Sequence, residues 1–330
     1  LNKTGVGKLY LINFETPEQK IKIMTKVLIA TDKPFAASAV NGIRNVVETA
    51  GFELKLLEKY TDKKQLLDAV ADVDAMIVRS DIVDAEVIEH AKNLKIVVRA
   101  GAGYDNLDLA SCTAKNIVAM NTPGQNSNAV AELAMGMMLM IVRNKYDGTS
   151  GTEVKDKTLG IHAYGYVGKN LARIAKGFNM KIMAFDPFVD KSVMEIDGII
   201  PAVSVEELYK NCQFVSLHIP ANDKTKKSIN KALVSLMPKG GVLVNTARKE
   251  VINEEELLQL FEERPDLRYV SDIAPDNAAA FVEKYAPRVF FTPKKLGAQT
   301  SEANNNAGIA AAEQIVKFIK NGDKTFQVNK

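Results

Sequence analysis

The 330 residues are 46% hydrophobic, 25% charged and 7% aromatic, ordinary globular values that exclude a disordered, collagen-like or low-complexity chain. The 43 basic and 40 acidic residues leave a formal charge of +3, and no run of Lys and Arg forms the one-sided basic stripe that nucleic acid requires. The longest apolar stretch, Leu133 to Val142, falls well short of the ~18 residues of a membrane-spanning helix. Neither nucleic acid nor a membrane is therefore expected as a partner. Cys112 and Cys212 lie far apart and outside any metal-ligand spacing, which predicts a reduced, cytoplasmic protein without a metal site.

Residues 1–23 mix Lys with Glu15 and Glu18 and lack the layout of a signal peptide, so they read as an N-terminal extension ahead of a start at Met24. Short β-branched runs then alternate with amphipathic stretches, predicting strands at Lys26–Ala30, Glu53–Leu57, Ala75–Arg79 and Lys95–Arg99. After Asn121, Thr122 and Pro123 comes an apolar helix, Ala129–Arg143, whose Met135, Met137, Met138 and Met140 suit either a core or a subunit interface. A polar, glycine-containing stretch, Asp147–Lys157, marks a boundary. Further strands are predicted at Thr158–His162, Lys181–Phe185, Phe214–His218, Gly241–Asn245 and Tyr269–Ile273. An Ala-rich helix, Ser301–Lys320, can run back to the first domain, with Thr325–Val328 as a closing strand. Near-continuous apolar strands with crossover helices predict an α/β protein of two doubly wound parallel-sheet domains. Residues 24–122 and 301–330 would form one domain and 123–300 the other.

The sharpest motif is Gly160-Ile161-His162-Ala163-Tyr164-Gly165-Tyr166-Val167-Gly168, directly after a strand and opening a helix. In a dinucleotide-binding turn Gly165 lets the backbone approach a pyrophosphate and Gly168 allows close helix-to-strand packing. The helix start offers free N–H groups and positive dipole. Ala163 replaces the first glycine. Asp186, about 20 residues beyond the loop, is placed to accept from both ribose hydroxyls and to repel a 2′-phosphate, favouring NAD over NADP.

Several segments together resemble the D-isomer-specific 2-hydroxyacid dehydrogenases from Met24 to Lys330. They are Arg99 with Gly101, Gly103, Asp105, Asn106 and Asp108; Asn121-Thr122-Pro123 with Val130-Ala131-Glu132; the glycine loop; Asn245-Thr246-Ala247-Arg248; and Leu296-Gly297-Ala298. The resemblance implies a flavodoxin-like substrate domain, an NAD-binding Rossmann domain, an active site between them, and a homodimer through the NAD-binding domains. Larger members carry a serine-binding regulatory domain, and since this chain stops soon after Val328 that regulation is expected to be absent.

Residue by residue, the resemblance gives Arg248 and the main chain of Gly101, Ala102 and Gly103 to the substrate carboxylate. Tyr164, Gly165, Tyr166, Val167, Gly168, Asp186, His218, Pro220, Thr246, Ala247, Asp272 and Gly297 fall to the cofactor, with Asp272 accepting from the nicotinamide carboxamide. Arg79, Ser80 and Arg99 end strands where a parallel sheet opens into a cleft, and suit the phosphate of a small phosphorylated 2-hydroxy acid.

One departure stands out. The family pairs a catalytic histidine just before Leu-Gly-Ala with a glutamate; here Lys295 stands at the first position and Asn277 at the second, while His90, His162 and His218 match neither. A lysine desolvated beside Arg248 would have its pKa lowered by burial and by like charge, so it can serve as general base or acid. Asn277, unable to ionise, would leave that lowering intact. Lys294 is the adjacent alternative. The expected reaction is NAD-dependent oxidation of D-3-phosphoglycerate to 3-phosphohydroxypyruvate, at the entry to serine biosynthesis. The alternatives are an unphosphorylated D-2-hydroxy acid such as glycerate (hydroxypyruvate in reverse), or an NAD-sensing binding protein without turnover.

Overall fold

A computed structural model describes residues 24–329. The extension at 1–23 and Lys330 of the first predicted domain lie outside the described residues.

Among the described residues twelve strands form two all-parallel sheets. The first holds β1 (Lys26–Thr31), β2 (Glu53–Glu58), β3 (Ala75–Val78), β4 (Ile96–Arg99) and β5 (Val118–Asn121), in the order β2-β1-β3-β4-β5. The second holds β6 (Thr158–His162), β7 (Lys181–Phe185), β8 (Ile200–Pro201), β9 (Phe214–Leu217), β10 (Val242–Asn245), β11 (Arg268–Ser271) and β12 (Val289–Phe291), in the order β12-β11-β10-β9-β6-β7-β8. The first order is flavodoxin-like and the second is a Rossmann order with a seventh strand added, so the chain is an α/β protein of two doubly wound sheets. In such sheets ligands bind beyond the carboxyl ends of the strands where the order reverses. Those points fall between β1 and β3, where Arg79 follows, and between β6 and β9, where the glycine loop follows.

Helix Ser301–Asn321 returns to the first sheet as expected, burying Ala307, Ala311, Ala312 and Ile315 in one core with Val27, Ile29 and Ile43. Removing Ile315 down to Ala there should cost about 2–5 kcal/mol. The Met-rich helix, Ser127–Val142, packs on the glycine-loop helix, Tyr166–Gly177, and buries Met135, Met137 and Met138 inside its own chain. Packing within the chain explains these three side chains; Met140 is only half-buried.

Three strands went unread. β5 and β12 are three or four residues with little alternation, and β8 is a two-residue edge strand containing Pro201. The expected closing strand Thr325–Val328 does not form. Gln327 makes a single antiparallel bridge to Met120, and Val328 N–H donates to Ala119 O at 2.9 Å. The Asn329 side chain then accepts from Ala119 N at 2.8 Å and donates to Ile117 O at 2.9 Å, satisfying the exposed edge of β5 by a side chain instead of a ladder.

Candidate active site

Beyond β10 the chain turns sharply through Thr246, Ala247 and Arg248. The fully buried Asn245 holds this turn, its Oδ1 accepting from Ala247 N at 2.9 Å and its Nδ2 donating to Arg248 O at 3.0 Å. Arg248 NH1 donates to Ala247 O at 3.0 Å, and its NH2 lies 3.4 Å from where a Cβ on Gly103 would stand. A guanidinium from the seven-stranded sheet therefore lies beside the glycine turn of the five-stranded one.

Within that turn the roles divide more finely than expected. Gly101 N–H is taken by Arg99 O at 2.9 Å, whereas Ala102 and Gly103 N–H donate to nothing among the described residues. Only the latter two are free to bind an anion. Gly101, at φ +150°, has a second purpose: Arg99 NH1 occupies its side-chain position, 1.7 Å from an ideal Cβ. Glycine alone fits there.

Arg99 Nε donates to Arg79 O at 3.0 Å, leaving the two terminal nitrogens without an acceptor among the described residues. Arg79 differs. Its NH1 donates to Lys33 O and Pro34 O, both at 3.2 Å, its NH2 to Asn304 Oδ1 at 2.7 Å, and its guanidinium stacks 5.1 Å over Phe35. Burial lowers the pKa of both arginines, aided at Arg99 by the charges of Arg79 and Arg248 and opposed by Asp105. Ser80 is exposed beside them. Arg79 and Arg99 thus bring positive charge to the cleft without forming a salt bridge among the described residues, which favours an anion.

Lys295 completes the cluster. It is half-buried, and its Nζ donates to Ala247 O at 2.9 Å, the same oxygen that Arg248 uses. Burial, then the charge of Arg248, brings its pKa down to about 8, against the opposing fields of Asp272 and Glu250. Lys294 is exposed. Asn277 stands at the start of helix Ala278–Tyr285 with its N–H on Glu254 Oε2 at 2.9 Å, and makes no hydrogen bond to Lys295. Asp272 is 1% exposed and accepts from Leu296 N at 2.7 Å and Gly297 N at 2.8 Å. The sequence reading aimed this carboxylate at the nicotinamide, and beside these main-chain donors its oxygens retain acceptor capacity.

At β6 the glycine loop has the expected form. Ala163 takes φ +82° where a glycine is usual, and a Cβ on Gly168 would stand 2.5 Å from Ala163 O, so strand and helix approach as closely as backbone permits. A Cβ on Gly165 would meet nothing within 4 Å, which leaves open space over the start of helix Tyr166–Gly177. Asp186 accepts from Tyr164 N at 2.8 Å and Phe188 N at 2.9 Å, tying the acid to the loop. The Tyr164 side chain is buried and its hydroxyl donates to Asp197 at 3.0 Å, so it is its main chain that lines the loop. Tyr166 is exposed with its ring against Gly124, and Val167 packs into the core.

Pro220 is exposed, while the His218 ring sits within 3.3 Å of Thr246 Oγ1 and has a buried Nε2 without a partner. Burial takes the His218 imidazole down to about 3 and that of His162 to about 4, so both are neutral. His90 is exposed at the end of helix Ala85–His90 with its ring on Glu86 O. Among the described residues no group of three His, Cys, Asp or Glu side chains could hold a metal ion.

Sequence reasoning missed Asn245 as the residue that shapes the Arg248 turn, although it had noted the motif. It also missed Asn304 and Glu250. Asn304 sits in an Ala- and Asn-rich helix with no local mark, and only the fold carries it 225 residues back to Arg79.

Cationic side chains gathered at the strand ends of two doubly wound sheets, one of which carries a dinucleotide-type glycine loop, define a class of oxidoreductase scaffold, and comparison with known proteins agrees. Residues 28–329 match the family described as D-isomer specific 2-hydroxyacid dehydrogenase, catalytic domain. The chain belongs to this family. It is 34% identical over 316 residues to D-3-phosphoglycerate dehydrogenase of Methanocaldococcus jannaschii, covering 90% of this chain and 58% of that protein. It is 35% identical over 296 residues to hydroxypyruvate reductase of Thermotoga maritima, covering 81% and 92%. Among solved structures, NAD+-bound 3-phosphoglycerate dehydrogenase of Entamoeba histolytica aligns with TM-score 0.82 and 47% identity over 93% of this chain and 99% of that one. The chain spans little more than half the length of several of the relatives it matches, such as the Methanocaldococcus and rat phosphoglycerate dehydrogenases.

Proposed function

We propose that this chain catalyses NAD-dependent oxidation of D-3-phosphoglycerate to 3-phosphohydroxypyruvate, with Lys295 as the proton-transfer group. The observation that carries this reading is the convergence of Arg248 and Lys295 on Ala247 O, opposite the free N–H groups of Ala102 and Gly103. The Entamoeba structure at 47% identity, a 3-phosphoglycerate dehydrogenase with NAD+ bound, supports both substrate and cofactor.

In this reading residues 24–122 with 301–330 carry the substrate and residues 123–300 the cofactor. The open space at Gly165, the close contact at Gly168 and the tethered Asp186 suit a dinucleotide. Gly165, Tyr166 and Val167 would meet the pyrophosphate, Asp186 the ribose, His218 and Pro220 the adenine side, and Thr246 and Ala247 the nicotinamide. Bound NAD supplies the hydride acceptor. The chain supplies the rest. Arg248 and the Ala102 and Gly103 N–H groups hold the carboxylate in a bidentate, charge-assisted grip. Arg99 takes the phosphate with Arg79 and Ser80 beside it. As the C2 hydride departs with its electron pair, the hydroxyl proton passes to the neutral Lys295 Nζ and the C2–O bond becomes a carbonyl. In reverse the ammonium returns that proton while its charge stabilises the developing oxyanion. Homodimerisation through the seven-stranded lobes and a cytoplasmic location belong to the same proposal; no described helix is long and apolar enough to cross a membrane.

A second reading is reduction of hydroxypyruvate. It is favoured by the Thermotoga relative and by Arg79, whose guanidinium is held by chain acceptors. One assay of NADH oxidation with phosphohydroxypyruvate, hydroxypyruvate and pyruvate side by side tests both. Fastest turnover of the phosphorylated acid supports the first reading, preference for hydroxypyruvate the second, and NADH binding without turnover of any excludes both.

A further inference from the structure

We infer that Asn121 is a positioning residue that aims the main-chain N–H groups of the glycine turn at the substrate carboxylate. It is the last residue of β5, paired in register with Arg99 at the end of β4, and it is 8% exposed. The turn Gly101-Ala102-Gly103 follows on the β4 side. Two of its carbonyls are held from the end of β5. Thr122 N donates to Gly101 O at 3.0 Å, and Asn121 Nδ2 donates to Ala102 O at 2.6 Å.

A trans peptide points its C=O and its N–H in opposite directions. Gly101 O shares a peptide with Ala102 N–H, and Ala102 O shares one with Gly103 N–H. With both carbonyls drawn toward the end of β5, both N–H groups face the other way, and neither donates to any group among the described residues. Arg248 NH2 stands on that open side, 3.4 Å from where a Cβ on Gly103 would lie. The first peptide is fixed by backbone, and any residue but proline at position 122 could supply its donor. The second is fixed by a side chain: Asn121 Nδ2 is the one donor to Ala102 O among the described residues. Gly103 leaves that peptide free to rotate once the tether is gone. Across the cleft Asn245 shapes the Arg248 turn through its own amide. Each lobe thus sets its half of the carboxylate grip with an asparagine at a strand end, a side chain that donates without adding charge to the site.

The inference rests on the proposed dehydrogenase reaction with the carboxylate at this turn, and the experiment separates the two claims. Asn121→Asp keeps the shape but, ionised, has no proton to offer Ala102 O. Asn121→Ala removes the tether outright; the isosteric variant carries the test should this one not fold. The carboxylate contact is made in the ground state and the transition state alike, so loosening it raises KM and spares kcat. NADH oxidation is followed with phosphohydroxypyruvate and with hydroxypyruvate, which share the carboxylate and differ in the phosphate. For each acid that wild type reduces, KM should rise roughly 10-fold in either variant, with kcat changed less than about threefold. An unmoved KM, a kcat that falls as far as KM rises, or a rise for the phosphorylated acid while hydroxypyruvate keeps its KM would overturn the tether and leave the dehydrogenase reading intact. Wild-type turnover of neither acid would overturn that reading, and the tether with it.

Discussion

Arg248 and Lys295 donate to one carbonyl oxygen, that of Ala247, at 3.0 and 2.9 Å. A single acceptor shared by two cations holds them close without neutralising either. Burial and the arginine charge accordingly keep the lysine at about 8. In oxidation the amine must be neutral, so kcat/KM should rise with pH through about 8 and level off above it. Reduction needs the ammonium and should fall over the same interval. Arg248→Gln removes the like charge, so the lysine pKa rises and the oxidative limb moves to higher pH. It should also lose roughly 10- to 100-fold in kcat/KM, since a hydrogen bond to a charged group contributes ~1.5–3 kcal/mol. Rate profiles of wild type and variant in both directions check this; a limb that stays put would remove Arg248 from the control of Lys295.

The glycine loop predicts two opposite outcomes from one methyl group. Gly168→Ala drives a Cβ to 2.5 Å from Ala163 O and 2.9 Å from Ile161 Cγ2, backbone and strand core that cannot step aside. We expect about 1–3 kcal/mol lost, read by urea unfolding, together with weaker NADH binding as the loop shifts. Ala163→Gly removes the Cβ strain at φ +82°. Relief of ~1–2 kcal/mol less the greater freedom of glycine in the unfolded chain, about 0.4–1 kcal/mol, leaves a gain of up to about 1.6 kcal/mol. A lower stability for Ala163→Gly would show that this turn is unstrained.

The strands that carry the chemistry were legible because both faces of each are covered, giving apolar runs such as Val27–Ala30 and Val242–Val244 with a polar residue at the carboxyl end. Arg99 and Asn245 fall at the ends of predicted strands, whereas Asp272 was found through the family resemblance and lies inside the predicted strand Tyr269–Ile273. What side chains do with their hydrogen bonds was not legible. Nothing local tells that Arg79 is held by Asn304, or that Asp272 closes on the Lys295 loop, since those partners are 225 and 24 or 25 residues away in sequence. The closing strand failed for a related reason: a β-like composition at Thr325–Val328 gave no hint that the Asn329 amide would complete the edge of β5.

His162 and His218 predict an acid-sensitive fold. Both are lowered by burial from the usual 6.5, to about 4 and about 3. Above 6.5 both are neutral whether folded or not, and their contribution to stability is complete. As pH falls below 6.5 the unfolded chain gains protons that the fold excludes. Stability is then lost progressively until the folded values are reached. His162 packs edge-on to Phe185 and Tyr209, so His162→Phe should be accommodated and should remove its share of the loss. Urea midpoints at pH 7.5 and 5 should differ less in the variant than in wild type; equal differences would mean that His162 is hydrated in the fold.

Discrimination between phosphorylated and unphosphorylated substrates should reside mainly in Arg99. Its terminal nitrogens have no acceptor among the described residues, whereas Arg79 is already bound to two carbonyls and to Asn304. Arg99→Met would remove a desolvated cation whose remaining donors face the cleft. It should lower kcat/KM for phosphohydroxypyruvate roughly 10- to 100-fold, the equivalent of one charge-assisted hydrogen-bond pair at ~1.5–3 kcal/mol. Hydroxypyruvate, lacking the phosphate, should lose far less. Arg79→Met breaks the tie between the β3 end and helix Ser301–Asn321, so it should lower stability as well as affinity. Asn304→Ala should reproduce part of that effect by freeing the guanidinium. Measuring both substrates and the unfolding midpoint for the three variants separates a phosphate ligand from a structural strut. If Arg99→Met reduces both substrates equally, its charge serves the common carboxylate, and the phosphate must be held elsewhere.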